Sequence, residues 1–135
     1  MKKTEAFQFL RSVYQDIVVN MDTAKIPDYF SERYIQVTDG VKTNREEFIH
    51  HIAALKDAVE SISVSPFYDA LFDDQLQTAT LRYIVDITKK NGARGQVELI
   101  ALMELDGRKI IRCNEISRPM QNPEEFQELA SINRR

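Results

Sequence analysis

The feature that most constrains this chain is the stretch from Leu76 to Met120, where QLQTATLRYIVDITKK, GQVELIALMELDG and RKIIRCNEISRPM follow one another with only short breaks. Each run is rich in β-branched and apolar residues and reads as a β-strand. The breaks carry turn chemistry, Asn91-Gly92 within KKNGAR and Asp106-Gly107 before the last run, and both are hairpin signals. Three such strands in series make an antiparallel meander too apolar to stand alone, so another part of the chain must cover it.

The first sixty residues supply that cover. Phe7, Leu10, Val13 or Tyr14, Ile17 and Val18 recur at helical spacing over residues 4–20, which predicts an amphipathic helix. Asp22 or Thr23 caps a short second helix ending near Phe30, with Pro27 tolerated only if the first turn begins later than Asp22. Tyr34 to Thr38 alternates as a short strand before the Asp39-Gly40 turn. Asn44 with Glu47 three residues on is a capping-box pair, and Phe48, Ile49, Ile52, Leu55 and Val59 then predict a helix from Arg45 to Val59. SISVSPFYDALF reads as a strand interrupted by Pro66, at a sheet edge or a bulge. Asn122, Pro123 and Glu125 open a C-terminal helix over about 123–131. The order is two helices, a strand, a helix and four antiparallel strands, an α+β arrangement with the helices on one face of a curled sheet. A parallel βαβ core has no place in it.

At 135 residues the chain fits one domain, 1–135 with its core over about 5–118, and at 43% hydrophobic and 29% charged residues it has the makings of an ordinary core. The formal net charge of −3 argues against non-specific nucleic-acid binding, which needs a basic surface. Cys113 is the single cysteine, so no intrachain disulfide forms, and with only His50 and His51 there is no Cys/His set spaced for zinc. Adjacent histidines on a helix point about 100° apart and do not chelate one ion together. MKKTEAFQF has no apolar signal region, and no window approaches the roughly 18 to 20 apolar residues that a spanning helix needs. A cytoplasmic protein without membrane contact, cofactor or metal is expected. Neither GxGxxG, GxxxxGK[ST] nor GxSxG occurs, so dinucleotide, P-loop and hydrolase-elbow readings have no motif to rest on.

Taken in order, the Tyr14-bearing first helix, NMDTAKIPDYFSERYIQVTDG, NREEFIHHIAAL and ELDGRKIIRCNEI resemble the nuclear transport factor 2-like superfamily, and within it the SnoaL-like polyketide cyclase and ketosteroid isomerase relatives. The resemblance covers residues 5 to 118 and rests on the ordered set, since no single motif is specific. It implies a cone-shaped, cystatin-like fold, with helices closing one end of a strongly bent sheet around an internal pocket. A homodimer packed through the outer sheet face is also implied.

On the strand from Gly95 to Leu105, Val97, Leu99, Ala101 and Met103 alternate with Gln96, Glu98, Ile100, Leu102 and Glu104. The first set is expected to face the cone, and Ile100 and Leu102 to meet a second subunit. On the last strand Ile111, Cys113, Glu115 and Ser117 share a face that the resemblance turns inward. Glu115 is then either a desolvated general acid or base or a structural ion-pair partner of Arg82, Arg112 or a helix residue. Tyr14 falls where ketosteroid isomerases carry an oxyanion-binding tyrosine, although a packed aromatic with a satisfied hydroxyl would serve the helix equally. The isomerase base matches Thr38, with Asp39 one residue on and facing the other way. Their second acid matches Ala101, whose methyl donates no hydrogen bond, so that mechanism is not expected here. His51 lies beside the apolar stripe of its helix as a candidate rim imidazole, whereas His50 is expected in solvent. Alternation leaves open whether Arg82 and Asp86 face inward, as in limonene epoxide hydrolase relatives, or outward.

Two functions follow. One is binding of a small apolar molecule with cofactor-free acid/base chemistry, using Tyr14, Asp39, His51 and Glu115. The other is a non-catalytic homodimeric module whose cavity is filled by Leu99, Met103, Ile111, Phe67 and Phe72. A cavity of roughly 300 Å³ or more favours the first and a collapsed one the second.

Overall fold

The computed structural model describes residues 1–120, so the helix expected over 123–131 lies outside the described residues. Helix α1 (Lys3–Val13) buries Ala6, Phe7, Leu10 and Val13 on one stripe. It then winds more widely through Tyr14–Val19, where Asn20 N–H reaches the Gln15 carbonyl at 3.0 Å, five residues back. The extra residue per turn broadens the stripe, so Val13 and Tyr14 both face the sheet together with Ile17. Asp22 accepts a bond from Ala24 N–H and caps a single turn over Thr23–Lys25, and α2 (Ile26–Tyr29) begins beyond it with Pro27 in its first turn.

Strand β1 (Phe30–Thr38) is longer than the five residues expected, and β2 (Val41–Asn44), not anticipated from sequence, pairs with it across the Asp39-Gly40 turn. Helix α3 (Arg45–Ala58) starts from the capping box. Asn44 accepts from Glu47 N–H at 2.9 Å, and the Glu47 carboxylate accepts from Asn44 N–H at 3.0 Å. The segment broken at Pro66 is two strands, β3 (Val59–Val64) and β4 (Asp69–Asp73), both pairing with β5 (Thr78–Lys89). β6 (Arg94–Asp106) and β7 (Lys109–Pro119) complete the meander.

The seven strands form one sheet in the order β2-β1-β7-β6-β5-β3, with β4 also on β5. All pairs are antiparallel except β1–β7, which is parallel and closes the sheet from its first strand onto its last. The inward rows are buried against α1 and α3, with Leu81, Tyr83, Val85 and Ile87 on β5 and Val97, Ala101, Met103 and Leu105 on β6. Burial of each large aliphatic side chain is worth about 1.5–3 kcal/mol. A bulge in β7 shifts the register after Glu104, so Ile110, and not Ile111, pairs with Leu105 and is fully buried.

Asn44→Ala removes one half of the capping box and leaves Glu47 N–H without its side-chain acceptor. A loss of about 1 kcal/mol is expected, read as a lower urea midpoint with an unchanged denaturant slope.

A polar wall inside an apolar cavity

Three rows cross the inner face of the sheet. Tyr83, Leu99 and Ser117 form one, Leu81, Ala101, Glu115 and Thr38 the next, and Ala79, Met103, Cys113 and Gln36 the third. Helix α1 with its widened turn, and α3 through Phe48, His51, Ile52 and Leu55, close over them and leave a cavity of about 130 Å³. The wall is apolar apart from Tyr14, Tyr34, Gln36, His51, Tyr83, Cys113 and Glu115. Its volume lies below the usual range for drug-sized ligands and near the roughly 150 Å³ that holds a benzene in an engineered protein cavity.

The hydroxyls are organised in two places. Tyr14 and Tyr83 share a hydrogen bond of 2.9 Å between their phenol oxygens, with rings edge to face at 4.8 Å. Two phenols joined in this way use one proton between them, which leaves the pair one further proton to donate. On β1, Tyr34 donates to Gln36 Oε1 at 2.7 Å and Gln36 Nε2 donates to Thr38 Oγ1 at 2.9 Å, all three side chains being buried. The Cys113 thiol donates to Glu115 Oε1 at 3.4 Å.

Burial is the main force on the titration of these groups, because it disfavours every anion they could form. It pushes Tyr14 well above the usual phenol range, with the neighbouring Cys113 and Glu115 adding to the rise and the Tyr83 hydrogen bond opposing it. Tyr34 is raised by burial, then by Cys113 and Glu115. Tyr83 is raised by burial, then by Tyr14 and Glu115. Burial and then Glu115 push the Cys113 thiol up, and the thiol serves as a hydrogen-bond donor to Glu115.

Of the candidates read from sequence, Tyr14, His51 and Glu115 meet on this cavity, with Val97, Leu99, Met103 and Cys113 beside them. Ala101 is fully buried between Leu81 and Glu115 in the sheet and does not reach the cavity wall. Asp39 and Ser117 lie elsewhere. Asp39 occupies the β1–β2 turn in the left-handed region (φ 50°), and its carboxylate takes both the Ser117 N–H, at 2.8 Å, and the Ser117 hydroxyl. One residue beyond Thr38, at the point where β1 ends, that pair caps the strand ends. Arg82 faces outward to Glu98 and Asp69, and exposed Asp86 accepts from Gln96 at 2.8 Å, so neither enters the cone. His50 is exposed. Phe67 packs on Tyr14 and Tyr83, Phe72 packs on Phe7, and neither fills the cavity.

Tyr34, Gln36 and Tyr83 were not singled out from sequence. Tyr34, Gln36 and Thr38 stand at alternate positions of one strand, which was the available signal.

No family model matches the sequence, and no curated protein is significantly similar to it. By structure, the chain is similar to a putative isomerase from Bacillus subtilis, with a TM-score of 0.74 at 15% identity over 94% of this chain and 96% of that one. It is also similar to a limonene epoxide hydrolase-like epoxide hydrolase from Mycobacterium tuberculosis, at 0.70 and 12% over 85% and 84%. A third is a hypothetical protein from Catenulispora acidiphila with a ketosteroid isomerase-like fold, solved with trimethylamine, at 0.65 and 15% over 77% and 81%.

Because a phenol raised on folding stabilises only while it stays protonated, the contribution of Tyr14, Tyr34 and Tyr83 is complete below the ordinary phenol value of about 10 and falls as pH climbs through their folded values. In an alkaline titration these three are expected to ionise together with loss of far-ultraviolet circular dichroism, and Tyr14→Phe to remove one phenolate from that step. Ionisation before unfolding would contradict their enclosure. The chain has an α+β, ketosteroid isomerase-like fold.

Proposed function

We propose that the chain binds a small, largely apolar molecule inside the cone and performs cofactor-free proton transfer on it. The observation that carries this reading is the convergence of Glu115 and the Tyr14–Tyr83 pair on one apolar cavity. A carboxylate at such a wall is a proton acceptor in an environment where its charge is weakly screened. When Glu115 takes a proton from the ligand, negative charge passes to the ligand, and the remaining phenol proton of the pair is the donor suited to receive it. Isomerisation, cyclisation and hydration all belong to this class. The isomerase-like and epoxide hydrolase-like neighbours support the reading through fold. The neighbour holding trimethylamine supports a ligand of modest bulk.

The reading as a filled, non-catalytic module draws support from the volume, about 130 Å³ against the roughly 300 Å³ that favours a ligand site, but a cavity lined in part by Tyr14, Tyr34, Gln36, His51, Tyr83 and Glu115 remains after Leu99 and Met103 have packed. Expected of the active protein is a loss of at least about 100-fold in turnover on Glu115→Gln across a panel of small carbonyl compounds and epoxides. Glu60→Gln, on the exposed part of β3, should leave it unchanged. An unaltered rate in folded Glu115→Gln would remove the proposed base.

We also propose a homodimer through the outer face of β5, β6 and β7. There Ile100 is 49% exposed and faces Ile116, itself 70% exposed, across the strand pair, with Leu102 adjacent. Large apolar side chains in neighbouring positions on an open sheet face suit a second copy better than water. Ile100→Asp is expected to sediment as a monomer, and a surviving dimer would exclude this face.

A further inference from the structure

We propose that the cavity selects a compact alkylammonium cation, a protonated or quaternary amine of about the bulk of benzene. This rests on the reading of the cavity as a ligand site and names the chemistry of what enters it. Two aromatic groups stand on its wall. On one side, Phe30, Tyr34 and Phe48 pack with ring centroids 4.7 to 5.6 Å apart. On the other, Tyr14 and Tyr83 pack at 4.8 Å. The first group comes from β1 and α3 and the second from α1 and β5. Glu115 lies on β7, between β1 on one side and β6, then β5, on the other.

A carboxylate between two sets of aromatic rings is the arrangement that attracts a soft cation, because ring faces carry negative quadrupole potential and the carboxylate carries the countercharge. Glu115 lines the same cavity as all three phenols and the Cys113 thiol. Cys113 donates to one oxygen of the carboxylate through a neutral thiol. Among the described residues His51 is the one basic side chain on the wall, contributed by α3. An anion would meet repulsion from Glu115, and a neutral apolar molecule would gain burial alone. A methylated ammonium gains burial, ring contact and charge at once, at a size the 130 Å³ cavity admits.

The test is calorimetric titration of the whole protein at neutral pH with choline and with 3,3-dimethylbutan-1-ol, its neutral isostere. A preference for choline of at least about tenfold is expected. Glu115→Gln, confirmed folded by circular dichroism, should abolish the preference while leaving the alcohol's affinity within about twofold. Should that variant fail to fold, Tyr34→Leu removes one ring and should weaken choline more than the alcohol. Equal binding of the two probes, or binding of the alcohol alone, would overturn the cation preference and leave the cavity reading standing. If neither choline, tetramethylammonium, the alcohol nor benzene binds, both readings fall.

Discussion

The inward row that crosses β5, β6, β7 and β1 through Leu81, Ala101, Glu115 and Thr38 is the constraint on which the rest of this molecule turns. Strand side chains repeat every two residues, so sliding β7 by one place would turn Glu115 to solvent and bring Ile116 into the cone. The hairpin at Asp106-Gly107 and the bulge beside Ile111 fix that register from one end. The Asp39–Ser117 contact ties it at the other. Ala101 matters here through its small size, since a larger side chain between Leu81 and Glu115 would compete with the carboxylate for the same layer. Ala101 thus holds spacing in this layer, and the carboxylate stands on the neighbouring strand.

Charge is treated differently on the two faces of the sheet. Outside, Glu98 receives bonds from Tyr68, Arg118 and Arg82, which together hold its carboxyl at about 2. Glu104 is likewise lowered by the paired Arg112. These are surface pairs of little consequence for stability and considerable consequence for solubility and register. Inside, Arg82, Arg112 and Arg118 are all turned away from the cavity, and the phenols, the amide and the thiol around Glu115 are neutral. Glu115 thus stands among hydroxyl, amide and thiol groups on the inner face, while these arginines keep to the outer one.

Much of this was legible before any coordinates. The meander, the capping box at Asn44 and the alternation that separates Val97, Leu99 and Met103 from Ile100 and Leu102 follow from period and turn chemistry alone, and the structure repeats them. What was not legible depends on long-range geometry. The inward polar row of β1 becomes a wall only once β7 lies beside it. The bulge that exchanges Ile110 for Ile111 leaves no mark in the alternation of the strand. β2 is four residues long and mostly exposed, with no pattern to announce it. Arg82 and Asp86 could be placed only after their partners across β4 and β6 were known. Val13 and Tyr14 offered a choice that a regular helix would have forced, and the widened turn admits both.

The parallel pairing of β1 with β7 has a consequence for how the molecule comes into being. Phe30 pairs with Ile110 and Thr38 with Glu115, so the strand carrying Tyr34 and Gln36 meets its neighbour only after nearly the whole described chain has been synthesised. Until then β1 has only the short β2 hairpin to bond with, and closing so long a loop is entropically slow compared with zipping β5, β6 and β7. The cone is therefore sealed late, its polar wall being the last part to assemble. A chain stalled at the ribosome short of β7 carries the helices and most of the sheet but lacks the strand that bears Cys113 and Glu115.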